Sequence, residues 1–324
     1  AFFTTHFTTI TGVTMKNICL LILTASVWIL STSHAEVPTS KYGADDTLGA
    51  INNLSPEKVL QAIRLVKHGK TYRLGVTTGP TSPAYPPRSY SMTVLQLDDG
   101  TGTPLGSNKA TGNDDLMNLW MGIGSQIDGL GHMGENHVYY NATHAREFVT
   151  PTGLTRFSIH DLPPIVTRGI LLDMTKLLGK NPLPEGTAIN QPEIERASKA
   201  ANVQIESGDV VLLHTGWLDI MDTDPDRFMA GQPGLGLSGA RYLAQLGVVA
   251  VGADNWALEV IPAEKDSEIF PVHPELLAKN GVYILENMDS RELARDSVTE
   301  FLFVLGQPRF EGAVQAVINP VAIH

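Results

Sequence analysis

Cysteine is almost absent: of 324 residues only Cys19 carries a thiol. Beyond that residue there is no disulfide framework, no zinc–thiolate site and no cysteine nucleophile. Positive charge is also scarce, with 23 Lys and Arg against 34 Asp and Glu and a net charge of −11 at pH 7. No basic cluster offsets this balance, so nucleic acid and anionic membrane surfaces are poor partners. HExxH and P-loop strings are missing. The string Gly234-x-Gly236-x-x-Gly239 satisfies GxGxxG, but no strand pattern precedes it, and the dinucleotide reading fails its context test. GLSGA at 236–240 is one residue short of a nucleophile elbow and lacks the preceding strand too.

Long apolar runs are confined to one place. Met15 opens MKNICLLILTASVWILSTSHAE, in which Lys16 supplies a basic start, residues 18–30 an apolar core and Ser33-His34-Ala35 a small-x-small site. The core is too short for a membrane anchor and has no stop-transfer flank. The pattern predicts a secretory signal peptide over 15–35, cleaved after Ala35, with residues 1–14 an upstream segment of unknown origin. What remains, 36–324, reads as a single domain without stable membrane association. An exported chain without cysteine fits a bacterial periplasm, or secretion.

Strand and helix patterns alternate along the chain. Ser55-Pro56-Glu57 starts a helix with Val59, Leu60, Ile63 and Val66 as its apolar stripe. Residues 78–90 hold four prolines and read as an irregular surface arm, and 91–99 alternate like a strand. TRGILLDM (167–174), GDVVLLHTGW (208–217) and VVAVGADN (248–255) read as strands. Helices are expected after Gln191-Pro192 and over 239–247, a helix then a strand over 273–288, and further strands to the end. This alternation indicates a layered α/β architecture.

Within it, GSQIDGLGHMGENHVYYN (124–141) places polar residues among glycines and single aliphatics. If IGSQID enters as a strand, Gln126 and Asp128 share a face, and a glycine turn can return His132 over it. Carboxylate plus imidazole is half of a metal site, or a hydrogen-bonded pair and nothing more. His273 before a helix and Glu286 at a strand end form a second pair at the edge where α/β proteins place their sites, and Asp254 lies at the same kind of edge. Read singly, His273 is equally a helix start and Glu286 a surface carboxylate. His144 and His160 have no partners at ligand spacing. Trp217 and Trp256 read as core or pocket wall. Tyr139, Tyr140 and Asn141, with Trp120 and His214, make up the expected substrate-facing set.

Taken in order, YGADDTLGAINNLSPEKVLQA, GSQIDGLGH, TRGILLDM, GDVVLLHTGW, GVVAVGADN and HPELLAKNGVYILEN resemble the cyclase-like metal-dependent hydrolases, the group of kynurenine formamidase and isatin hydrolase. The resemblance implies a layered β/β/α swivelling-type fold with a mixed sheet and a homodimer or higher homo-oligomer, with the 78–90 arm a candidate for crossing to a neighbour. The motif of that family, HxGTHxDxPxH, places Asp128 at its aspartate and His132 at its last histidine, the acid/base position. Gly122, Gln126 and Leu130 replace the two leading histidines and the proline, and Gln126 is similar to a Gln-containing branch. The resemblance further implies a divalent metal, Mn²⁺ or Zn²⁺, with one ion held by Asp128, His273 and Glu286 with Gln126 favoured after the loss of both histidines, and two ions the alternative. The implied activity is hydrolysis of a small aryl or cyclic amide, lactam or ester through activated water. A metal-assisted cyclase or dehydratase and a non-catalytic binding protein on the same fold are the alternatives.

Overall fold

Three short, mostly apolar runs, Val210–His214, Ala250–Ala253 and Tyr283–Glu286, are buried along their whole length. Such runs suit parallel strands covered on both faces. With Ile165–Asp173 they form the parallel centre of a nine-stranded sheet. Antiparallel strands extend it on both sides: Glu300–Leu305, Val321–Ile323 and Thr71–Arg73 on one, Gln126–Asp128 and Gln315–Val317 on the other. This is a computed structural model, and it describes residues 37–96 and 102–324. The expected signal peptide with Cys19, residues 1–14 and the end of the 91–99 strand lie outside the described residues.

Helices connect the parallel strands. Gln191–Ala200 starts with Pro192, and the Asn190 N–H donates to Glu193 Oε2 at 3.1 Å. Leu237–Leu246 ends at Gly247, whose φ of +80° closes it in the left-handed region. A helical segment formed by Val272–Pro274 and Glu275–Lys279 leads into Tyr283–Glu286. The result is the mixed α/β fold with a large mixed sheet that the sequence implies. No helix among the described residues is long and apolar enough to cross a membrane.

One local expectation needs correction, and another gains a partner. Pro56–Ile63 is a helix, and Ser55 Oγ caps it by accepting the Lys58 N–H at 3.3 Å. Its apolar stripe is not buried, however: Leu60 is 60% and Ile63 49% exposed, while Ala62 is the buried residue. A small side chain there lets the helix lie close to the sheet, which leaves the bulkier neighbours outside. The strand within 91–99 is half of a two-stranded ribbon, Tyr90–Gln96 paired with Asn113–Leu119. Met92, Val94, Leu116 and Met117 of that ribbon are exposed.

Candidate metal centre

Gly124, at φ +73°, turns the chain into the fully buried strand Gln126–Asp128. That strand is antiparallel to both its neighbours, with Glu286 opposite Gln126 and Gln315 opposite Asp128. Cross-strand partners share a face, and so do residues two apart. Gln126, Asp128, Glu286 and Gln315 therefore meet on one side of the sheet.

The Asp128 carboxylate is held at one oxygen. Its Oδ1 accepts from Gln126 Nε2 at 3.0 Å and from Gln315 Nε2 at 2.7 Å. Its Oδ2 is buried and has no hydrogen-bond partner, and Gln126 Oε1 is buried and unpartnered as well. A main-chain bond from the His132 N–H to Gly129 O, 2.9 Å, folds His132 back towards this face. Gln315 Nε2 lies 3.4 Å from His132 Nε2. An amide N–H can only donate, so this contact favours the tautomer with its lone pair on Nε2.

His273 arrives from the other side. Glu259, 1% exposed, accepts the backbone N–H groups of Val272 and His273 at 3.0 and 3.2 Å. It also bonds His273 Nδ1, which aims Nε2 towards Glu286 Oε1 at 3.3 Å and Asp128 Oδ2 at 3.7 Å. A carboxylate behind an imidazole fixes its tautomer and raises its basicity as a ligand. Sequence reading missed Glu259 and Gln315, because neither stands near a motif.

The electrostatics follow from burial and crowding. Burial, then the neighbouring Asp128 charge, pushes Glu286 up to about 7, against the pull of His273. Burial opposes a charged His273, but the hydrogen bonds to Glu259 and Glu286 outweigh it and raise the group to about 10. Burial holds His132 below its usual value, helped by His273 and Arg88 and opposed by Asp128.

Ligand atoms of Asp128, His132 and His273 all lie within 4.8 Å of one another, the cluster among the described residues that fits a metal ion. Asp128 Oδ2 is buried and unpartnered in this cluster, and so is Gln126 Oε1 on the same strand face. Unpaired buried oxygens are costly unless something satisfies them, and a divalent cation does. The donor set, carboxylates and amide oxygen with imidazole, suits a divalent cation. His132, expected as acid/base, thus also stands within ligand range.

The expected substrate-facing set is not assembled there. The Tyr140 hydroxyl is bound to Asp46 Oδ2 at 2.6 Å and Ser40 Oγ at 2.7 Å, and Asn141 Nδ2 donates to the carbonyls of Gly43, Ala44 and Asp46. Both residues tie down the 40–46 loop. Tyr139 packs edge-on against Phe148 at 5.2 Å between centroids. His214 Nδ1 lies 2.9 Å from Ser290 Oγ and 3.1 Å from Asp254 Oδ2, and that carboxylate is also taken by Thr215 and Gly216. Trp120 is 49% exposed beside the ribbon. The cavity at the centre is lined instead by Tyr85, Arg88, Met133, Trp256, Ala257 and Phe270, with His132, His273 and Glu286. Aromatic residues near the prolines of 78–90 were the available clue to Tyr85.

Fold and site together define a mixed-sheet α/β protein with a buried candidate metal centre beside an aromatic cavity. The family model described as "Putative cyclase" matches residues 72–260, and the chain belongs to this cyclase family. A crystal structure of a novel cyclase is similar at TM-score 0.80 and 28% identity, over 88% of this chain and 98% of that one. An isatin hydrolase bound to the product analogue thioisatinate is similar at TM-score 0.57 and 16% identity, over 83% and 98%. A "predicted metal-dependent hydrolase" from Bacillus stearothermophilus follows at 0.52 and 19%, over 79% and 98%. At the latter two identities the likeness is one of fold. No curated protein matches the chain.

Proposed function

We propose that this protein is a metal-dependent hydrolase that cleaves the C–N bond of a small aryl or cyclic amide or lactam, with esters as a related class. The observation that carries the reading is the buried, unpartnered Asp128 Oδ2 among His132, His273 and Glu286. Membership of the cyclase family and a fold shared with isatin hydrolases support it. Asp128, His273 and Glu286 would hold the ion with Gln126; a bound Mn²⁺ or Zn²⁺ supplies Lewis acidity to water and carbonyl.

The chain's own part is proton handling and positioning. His132, kept neutral by burial and with its lone pair on Nε2, accepts a proton from the attacking water. The water oxygen bonds to the carbonyl carbon, the C–N bond breaks, and His132 returns the proton to the leaving nitrogen. The products are a carboxylate and an amine. Glu259 keeps His273 oriented throughout, and the walls of Tyr85, Trp256 and Phe270 flank an aryl group.

Metal analysis of purified protein, with and without Asp128→Ala, tests the proposal. Stoichiometric metal and turnover on an aryl-amide and lactam panel, both lost in the variant, are expected; full hydrolysis by a metal-free preparation would refute it. Export to the periplasm and homodimerisation belong to the same proposal. The exposed Met92, Val94, Leu116 and Met117 of the ribbon support the dimer, which analytical ultracentrifugation checks.

A further inference from the structure

Position 122 carries a glycine, and the space beside it is filled. Arg88 Nη1 donates to Gly122 O at 2.6 Å. A Cβ on Gly122 would lie 2.5 Å from that Nη1 and 2.6 Å from Cζ. The guanidinium therefore occupies the place a side chain at 122 would take, and it does so on the wall of the cavity that holds His132, His273 and Glu286. Among the described residues no carboxylate forms an ion pair with Arg88, although Glu286 lines the same cavity. Guanidinium presents five N–H donors in a planar fork, and the bond to Gly122 O uses one.

The other walls are aromatic. Tyr85 and Trp256 are stacked at 5.9 Å and 26°, and Phe270 stands edge-on to Trp256 at 6.3 Å and to His273 at 5.6 Å. Trp256 Nε1 is buried with no acceptor. The cavity measures about 170 Å³. A cavity of roughly 150 Å³ accommodates a single benzene ring. Unmet donors, a fixed positive charge and room for one ring lie together beside the candidate metal centre.

We propose that Arg88 is the specificity-determining residue of this site, and that the preferred substrate is a single-ring aromatic bearing a carboxylate, which the guanidinium binds while the ring packs against Trp256, Tyr85 and Phe270. The reaction itself rests on the hydrolase reading above; the ligand preference does not. Gly122 is part of the device, since any larger residue there displaces the guanidinium.

Two measurements on metal-loaded protein test this. The first is calorimetric titration with benzoate and with benzamide for wild type, Arg88→Met, Arg88→Lys and Gly122→Ala. Benzoate affinity is expected to fall about tenfold or more in Arg88→Met and Gly122→Ala and less in Arg88→Lys, with benzamide affected far less. Equal benzoate affinity in wild type and Arg88→Met overturns the proposal. The second compares hydrolysis of 2-formamidobenzoate with that of formanilide. The preference for the carboxylate substrate is expected to collapse about tenfold in Arg88→Met, chiefly through KM. An equal loss on both substrates also overturns it, because Arg88 would then serve the reacting carbonyl. If wild type turns over nothing in a panel of aryl amides, lactams and esters yet binds benzoate through Arg88, the hydrolase reading fails and the inference stands. Thermal unfolding monitors each variant; should Arg88→Met not fold, Arg88→Lys and Gly122→Ala carry both comparisons.

Discussion

Glu259 grips His273 at two points, accepting its backbone N–H at 3.2 Å and bonding its Nδ1 with the same oxygen. The imidazole is thereby left with Nε2 facing Asp128 and Glu286. Glu259→Gln keeps the shape and loses the charge behind the ring. Metal affinity is expected to fall about 10–100-fold with the fold retained, read by metal titration alongside circular dichroism.

His132 stands within ligand range of the centre and also in position for proton transfer. His132→Ala is expected to lower kcat by about 10²–10⁴-fold while the protein keeps its metal, because Asp128, His273 and Glu286 remain. Metal content measured on the same sample as the kinetics decides the role. Loss of metal would make His132 a ligand instead.

In the metal-free protein the pH dependence has a definite sign. Glu286, raised to about 7 from its ordinary 4.5, binds its proton more tightly folded than unfolded. Its contribution to stability is fully present below about pH 4.5 and is lost as pH rises towards about 7. His273, raised to about 10, extends the decline above pH 6.5. Denaturant unfolding of the metal-free protein should show falling stability from pH 5 to pH 8, on the order of a few kcal/mol. Added divalent metal should oppose the decline, since protons and metal compete for the same carboxylate.

Arg168 joins strands far from the centre. It meets the fully buried Asp209 with Nε at 3.0 Å and Nη2 at 2.7 Å, and its Nη1 reaches Glu300 at 3.0 Å. Arg168→Met leaves the Asp209 carboxylate without its partner. A loss of about 3–5 kcal/mol is expected in urea unfolding, with the metal content of folded protein unaffected.

Much of this molecule could be read from the chain. Runs such as VVLL and YIL, apolar up to the strand-end His214 and Glu286, are buried parallel strands because only a sheet covered on both faces can hide them. The two-residue period of a strand puts Gln126 and Asp128 on one face, and that local rule needs no tertiary information. Side-chain destinations beyond the local backbone were decided by the fold. Tyr140 and Asn141 stand within nine residues of His132 in sequence, yet they bind the 40–46 loop, because that loop's carboxylate and carbonyls need donors. Gln315, Glu259 and Arg88 are distant in sequence from the motif, and strand register, a helix end and a packed arm bring them to it. Residue spacing carries periodicity. Register between strands and competition for buried hydrogen bonds are properties of the whole chain, so the local placement of Gln126 with Asp128 was legible while its supports and the cavity walls were not.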